Sequence, residues 1–208
     1  VKHIIGIDEV GRGALAGPIV VTALLMPERT RLKHHILGNI RDSKKLSPRQ
    51  REMWREWLIA HPRFLFVTAC VSVAVIDRIG ISRAANRAAL RAWKRLMANG
   101  KGRMGRKNCS VFLDGGLYLG NGGARHIGKT IIRGDERIPA IAAASIVAKV
   151  WRDGLMRRLA RKYPGYGLDV HKGYGTRAHR AAIARHGPST SHRLTFLLGF
   201  LKNTKQKA

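Results

Sequence analysis

The chain has little with which to cross-link itself. Its two cysteines, Cys70 and Cys109, lie far apart and in no CxxC pair, which excludes a disulfide framework and gives no sign of a zinc site. They read as reduced, buried thiols of a cytoplasmic protein. No apolar run reaches the length of a membrane span and no secretory leader is visible, so no membrane partner is expected. Internal repeats and low-complexity linkers are missing too, and 208 residues at 45% apolar content read as a single domain. The most telling shortage is of acid. Only 12 Asp and Glu stand against 40 Lys and Arg, a formal charge of +28. A field of that size opposes compaction unless a polyanion is the partner, and nucleic acid comes first.

Because acids are scarce, their placement carries information. Asp8, Glu9, Asp114 and Asp153 sit in or beside apolar segments, whereas Glu28, Glu52 and Glu56 have polar surroundings. Asp8 and Glu9 end an apolar run (Ile4, Ile5, Ile7) and precede the turn Gly11-Arg12-Gly13. Neighbours on a regular strand face opposite ways, so both can serve one site only if the strand ends there and the glycines turn the chain. Asp114 ends a second apolar run before Gly115-Gly116, and ligand sites of open α/β sheets gather at such strand ends. Asp153, four residues after Lys149 and seven after Ile146, falls on the inward side of a long helix. Clustered carboxylates without His or Cys favour Mg²⁺ or Mn²⁺ over zinc, and paired ions of this kind serve in-line displacement at a phosphodiester.

Hydrophobic patterning predicts strands over Ile4–Ile7, Ile19–Met26, Phe64–Val75, Ser110–Leu113 and Ile127–Ile132. It predicts helices from Pro48 to Ala60 with Ser47 as cap, from Ile81 to Ala98, and from Ala140 to Lys162, with two short basic helices closing the chain. Asn99–Asn108 reads as a Gly/Lys/Arg-rich loop, and the tail after Phe200 as short and basic. Strands and helices in this order make an α/β fold with a central mixed sheet.

Six segments, in order, resemble the ribonuclease HII family: DEVGRGALAGP from Asp8, DSKKLS from Asp42, FLDGG from Phe112, AAASIVAKVWRD from Ala142, HKGYGT from His171 and SHRLTF from Ser191. The resemblance implies a ribonuclease H-like fold whose helical C-terminal part, residues 163–208, lies over the substrate. It implies hydrolysis of the RNA strand of RNA/DNA hybrids and incision 5′ of single ribonucleotides in duplex DNA. Two Mg²⁺ or Mn²⁺ ions held by Asp8, Glu9, Asp114 and Asp153 would do the chemistry. Gly11, Arg12 and Gly13 would meet the 2′-hydroxyl and its phosphate, Lys44 and Lys45 other phosphates, and Tyr174 the sugar at the RNA-to-DNA junction. Arg193 fits either phosphate binding or a cap on the core. His171, His179 and His192 also match but have no part in the expected chemistry. The absence of a long segment before the first strand points away from ribonuclease HIII, and the short tail away from a clamp-binding peptide. A cytoplasmic monomer is expected. The competing readings are a non-catalytic nucleic-acid-binding protein and a junction-selective DNA nuclease.

Overall fold

Strand β1 (His3–Val10) turns back through residues 11–18 into β2 (Ile19–Pro27), and the two pair antiparallel from His3↔Pro27 to Val10↔Val20. The computed structural model describes residues 2–40, 43–100, 109–120 and 127–198. Most of the basic loop and all of the tail after Phe200 lie outside them. Two short strands, β3 (Lys33–His34) and β4 (Gly38–Asn39), form a separate ribbon within the basic connection after β2. A 3₁₀ turn over Ser43–Lys45 leads to α1 (Pro48–Ala60). Ser47 and Gln50 cap that helix reciprocally: the Gln50 amide donates to Ser47 Oγ, and the Ser47 amide donates to Gln50 Oε1.

Strand β5 (Leu65–Val71) pairs antiparallel with β2 and is shorter than its apolar run suggests. From Val73 the chain is helical, as α2 (Val73–Ile79). Asp77 on α2 accepts from the amides of Leu194 and Thr195, so this segment caps the helix of residues 194–198 instead of extending the sheet. Cys70 is exposed and Cys109 half-buried, contrary to the expectation of buried thiols. Along β5 the buried Ala69 and Val71 alternate with Cys70, which points the other way.

Helix α3 (Ile81–Asn99) covers one face of the sheet with Ala84, Ala85, Ala88, Ala89, Ala92 and Leu96, all fully buried. Strands β6 (Cys109–Asp114) and β7 (Lys129–Ile131) follow, both parallel to β1, giving the sheet order β5-β2-β1-β6-β7. After the short α4 (Gly134–Arg137), α5 (Pro139–Lys162) lies on the opposite face, where Ala140, Ala143, Ala144 and Val147 pack with Leu24, Met26 and Leu58. Helices α6 (Leu168–His171) and α7 (Arg177–His186) follow and share a small core with Ala16 and Met156. This is a mixed central sheet flanked by helices.

Gly6 fixes the distance between sheet and helix. A Cβ there would lie 2.1 Å from the carbonyl carbon of Ala140 and 2.3 Å from the amide of Ile141, so the start of α5 rests directly on β1. Gly6→Ala must push α5 off the strand carrying Asp8. Overpacking of this kind costs ~3 kcal/mol, or roughly 6–12 °C in Tm. A thermal melt checks it, and an unchanged Tm contradicts the close approach.

Candidate active site

Register brings the acids together. β1 and β6 pair in parallel up to Ile7↔Leu113, so the next residue on each strand, Asp8 and Asp114, emerges side by side. β1 continues to Val10 against β2 alone, and the flank beyond the last β6 pairing is open to Glu9. Asp8, Glu9 and Asp114 each offer an oxygen within 4.8 Å of the others. The strand thus runs past the acids before the glycine turn, and the site forms on its unpaired edge.

Each carboxylate is held. Asp8, 5% exposed, accepts from the Glu9 amide at 2.7 Å, and the nearby Ser145 hydroxyl of α5 favours its charged form. Ser145 in turn bonds Ser43 at 2.8 Å, which ties the 3₁₀ turn to the site. Glu9 Oε1 accepts from Arg12 Nε at 2.8 Å, while Glu9 Oε2 is buried without a hydrogen-bond partner. Asp114 Oδ1 accepts from the Gly134 amide at 2.6 Å, at the start of α4. Burial pushes the Asp8 carboxyl well above the usual carboxylate range, and the charges of Glu9 and Asp114 push it further. Burial also raises Glu9, against the lowering pull of Arg12. Like charges crowded out of water need a cation or a proton.

A cavity of about 230 Å³ lies over this cluster. Gly11, Arg12, Gly13, Lys149 and Tyr174 line it with the three acids, and so does Asp135. Asp135 is 5% exposed in the first turn of α4. It escapes sequence reasoning because Arg133-Gly134-Asp135-Glu136 looks like a polar loop. The signal available was position: an acid a few residues before the buried helix that packs on β1.

Two buried arginines build the glycine turn from beneath. Arg152 donates to the carbonyls of Ala16, Pro18 and Lys172. Arg193 donates to those of Gly17 and Arg12. Both are fully buried, and burial lowers the Arg193 guanidinium to about 10. Gly11 has φ +92°, and a Cβ on it would lie 2.2 Å from Arg152 Nε, so the turn closes over the guanidinium only with glycine. A Cβ on the exposed Gly13 would meet nothing within 4 Å.

Tyr174 stands at the edge of the turn, bridged to Ala14 and 37% exposed, with the Arg152 guanidinium 5.6 Å from its ring centroid. Three histidines back it. His179 Nδ1 donates to the Tyr174 carbonyl at 3.0 Å, which leaves Nε2 as acceptor for His192 Nε2 at 3.1 Å. His192 Nδ1 then accepts from the Ser189 amide. His171 stacks on His179 at 4.1 Å between centroids. The chain of bonds is complete only with neutral rings.

The structure places two of the expected site residues outside the cavity lining. Asp153 is buried, as its spacing predicts, yet it does not line the cavity. It pairs with Lys149 at 2.6 Å and Arg51 at 4.0 Å, so its charge is met by cations of α5 and α1 and not shared with the other acids. Arg193 binds backbone carbonyls under the turn, so it caps the core and is not offered to a phosphate. Lys45 is exposed and does not line the cavity. The Lys44 side chain is outside the described residues.

Comparison with known proteins shows the family and the fold. The family model described as Ribonuclease HII matches residues 5–198. The chain is 44% identical to the ribonuclease HII of Chlamydia pneumoniae over 191 residues, 92% of this chain and 81% of that one. Its fold is similar to the crystal structure of ribonuclease H2 from Pyrococcus horikoshii OT3, with TM-score 0.71 at 22% identity, covering 98% and 99% of the two chains. It is also similar to Bst-RNase HIII in complex with Mn²⁺, with TM-score 0.75 at 19% identity, covering 99% and 71%. The protein is therefore a ribonuclease H, of the class that acts on RNA/DNA hybrids. Within that class the chain belongs to the ribonuclease HII family.

The histidine network predicts acid sensitivity. Burial lowers His179 to about 4, from 6.5. Between those values the unfolded chain binds a proton that the folded one refuses, so stability falls as pH drops from about 6.5 to 4. The loss is on the order of 3 kcal/mol. Urea unfolding of wild type and His179→Gln at pH 7 and pH 4.5 measures it: the variant should lose less on acidification. Equal losses would show the imidazole is not held neutral.

Proposed function

We propose that this protein hydrolyses the RNA strand of RNA/DNA hybrids and incises 5′ of single ribonucleotides in duplex DNA, using Mg²⁺ or Mn²⁺ held by Asp8, Glu9 and Asp114. The observation that carries the reading is the buried, unpartnered Glu9 Oε2 within a cluster of three carboxylates. An acceptor-only, all-oxygen set fits a hard divalent cation. Asp135 faces the same cavity and is the fourth acid of the proposed site, in place of Asp153.

Ions held by these carboxylates would supply Lewis-acid activation of water and charge stabilisation at the phosphodiester. The chain's own residues do the rest. Lys149, half-buried at the cavity with its ammonium lowered by burial, offers a cation to the scissile strand, and Asp153 orients it through the 2.6 Å pair. Arg12 steadies Glu9. The backbone of Gly11-Arg12-Gly13 approaches the 2′-hydroxyl, the group that separates RNA from DNA, and Tyr174 packs against the sugar that follows. Lys44 and Lys45 add phosphate contacts. The segment from residue 163 onward covers the substrate, in a monomer working in the cytoplasm.

The test is cleavage of a duplex with one embedded ribonucleotide beside its all-DNA twin, in Mg²⁺. Cutting confined to the first supports the reading; cutting of both, or of neither, contradicts it. Asp114→Asn and Asp135→Asn should each lower turnover more than ~100-fold, since even outer partners of metal ligands cost 10–100-fold, with duplex binding retained. Asp153→Asn should cost about 10-fold through Lys149. If Asp153→Asn is the more damaging change, the exchange of Asp153 for Asp135 is wrong.

The two glycines separate folding from recognition. Gly11→Ala should lower Tm, because its Cβ enters the Arg152 guanidinium. Gly13→Ala should melt like wild type yet cut poorly, because its Cβ meets only substrate. Tyr174→Ala should hurt cleavage at a single ribonucleotide more than within a continuous hybrid. Equal losses on both substrates would make the tyrosine a loop anchor.

A further inference from the structure

A second concave site lies at the other end of β1. The pairing His3↔Pro27 sets the end of β2 beside the start of β1, and Leu25↔Leu65 brings the start of β5 to the same edge. Five strand residues, His3 to Ile7, lie between Lys2 at this edge and Asp8, a separation of ~20 Å. The cavity there measures about 800 Å³. Two turns wall it, and both are fixed by backbone bonds: Thr30 donates to Pro27 and Glu28 to Lys2 on one side, and Phe64 donates to His61 on the other.

Its lining is basic and aromatic. Lys2, Arg29, Arg31 and Arg63 face it against one carboxylate, Glu28. Among the described residues, none of these four cationic side chains has an ion-pair or hydrogen-bond partner. Trp57 and His61 supply the aromatic wall. His61 is stacked on Phe64 at 3.8 Å and 9°, and Trp57 meets Trp54 edge-on at 5.5 Å, so the rings are held in place. Burial and the Arg63 charge keep the His61 imidazole below its usual pKa, so it offers an uncharged ring at neutral pH.

We propose that this cavity is a second nucleic-acid site that takes a single strand, its phosphates among Lys2, Arg29, Arg31 and Arg63 and one base against Trp57 and His61. Only unpaired bases expose a face to stack, and cations interleaved with aromatic rings are the general means of holding them. A strand suits four unpaired cations better than one mononucleotide does, because it delivers successive phosphates. Anchored ~20 Å from the carboxylates, an unpaired end of the substrate would raise its effective concentration at the active site. The inference does not depend on the metal reading and is measured without divalent cations.

The experiment is fluorescence anisotropy of a labelled 15-mer of thymidine in EDTA at fixed salt. The triple variant Arg29→Glu, Arg31→Glu, Arg63→Glu is compared with Arg83→Glu, Arg91→Glu, Arg95→Glu on the exposed side of α3, which changes the net charge equally. The first should weaken binding ~30-fold and flatten the log–log salt slope by about 2, near 0.7 per lost contact; the second should cost less than ~3-fold. Arg→Gln at the same three positions gives the same order of effects should charge reversal unfold the protein. His61→Ala should cost ~5-fold without altering the salt slope. Cleavage of a blunt 12-base-pair duplex with one ribonucleotide should stay within ~2-fold for all of them. Equal losses in the two triples would mean the strand feels only the overall field and would overturn the site. So would an unchanged affinity in His61→Ala. Competition by thymidine monophosphate at the oligonucleotide's own affinity would overturn the strand in favour of a mononucleotide.

Discussion

Mutual repulsion among Asp8, Glu9 and Asp114, oxygens within 4.8 Å of one another and Asp8 almost out of water, is the constraint to which the rest of the structure answers. Ionised, these groups oppose folding, as the upward pressure on Asp8 and Glu9 shows. They stay together because stronger terms fix their backbones. β1 is the central strand, locked between β2 and β6. The bare face of Gly6 lets α5 lie against it and deliver Ser145 to Asp8. The Gly134 amide at the start of α4 holds Asp114. Fold stability is spent on keeping a site that electrostatics alone would open.

The same logic sorts the cations. Arg152 and Arg193 are fully buried, with carbonyls of the 11–18 turn as acceptors, so two of the 40 basic side chains act as internal struts. Lys149 and Arg51 are balanced by Asp153. Among the described residues Lys2, Arg29, Arg31 and Arg63 have no such acid, so they are charges that the fold itself does not use. A ribonuclease H carrying +28 has far more positive charge than one catalytic cleft can set against phosphates.

Much of this was legible beforehand. The β1–β2 hairpin, the Ser47 cap and the buried start of α5 follow from period, capping chemistry and composition, which are local. Asp8 and Asp114 were legible as acids closing apolar strands. For Asp153 helical spacing tells that it points inward and not what waits there; here Arg51 arrives from α1, far away in sequence. Asp135 was hidden because its burial depends on Arg133 adopting φ 54° and on α4 folding beneath β6, which a polar tetrapeptide does not announce. Arg193 was left between two roles since its acceptors, Arg12 and Gly17, lie at the opposite end of the chain.

Thermal unfolding of wild type and Asp8→Asn, each in EDTA and in saturating Mg²⁺ or Mn²⁺, tests the central claim most directly. A carboxyl whose folded pKa is raised destabilises the fold when ionised. In EDTA at neutral pH, Asp8→Asn should therefore melt above wild type. Cation binding to the folded state alone should raise the wild-type Tm and leave the variant nearly unmoved. A variant that melts lower in EDTA, with both proteins responding equally to metal, would contradict a strained carboxylate cluster built for a cation.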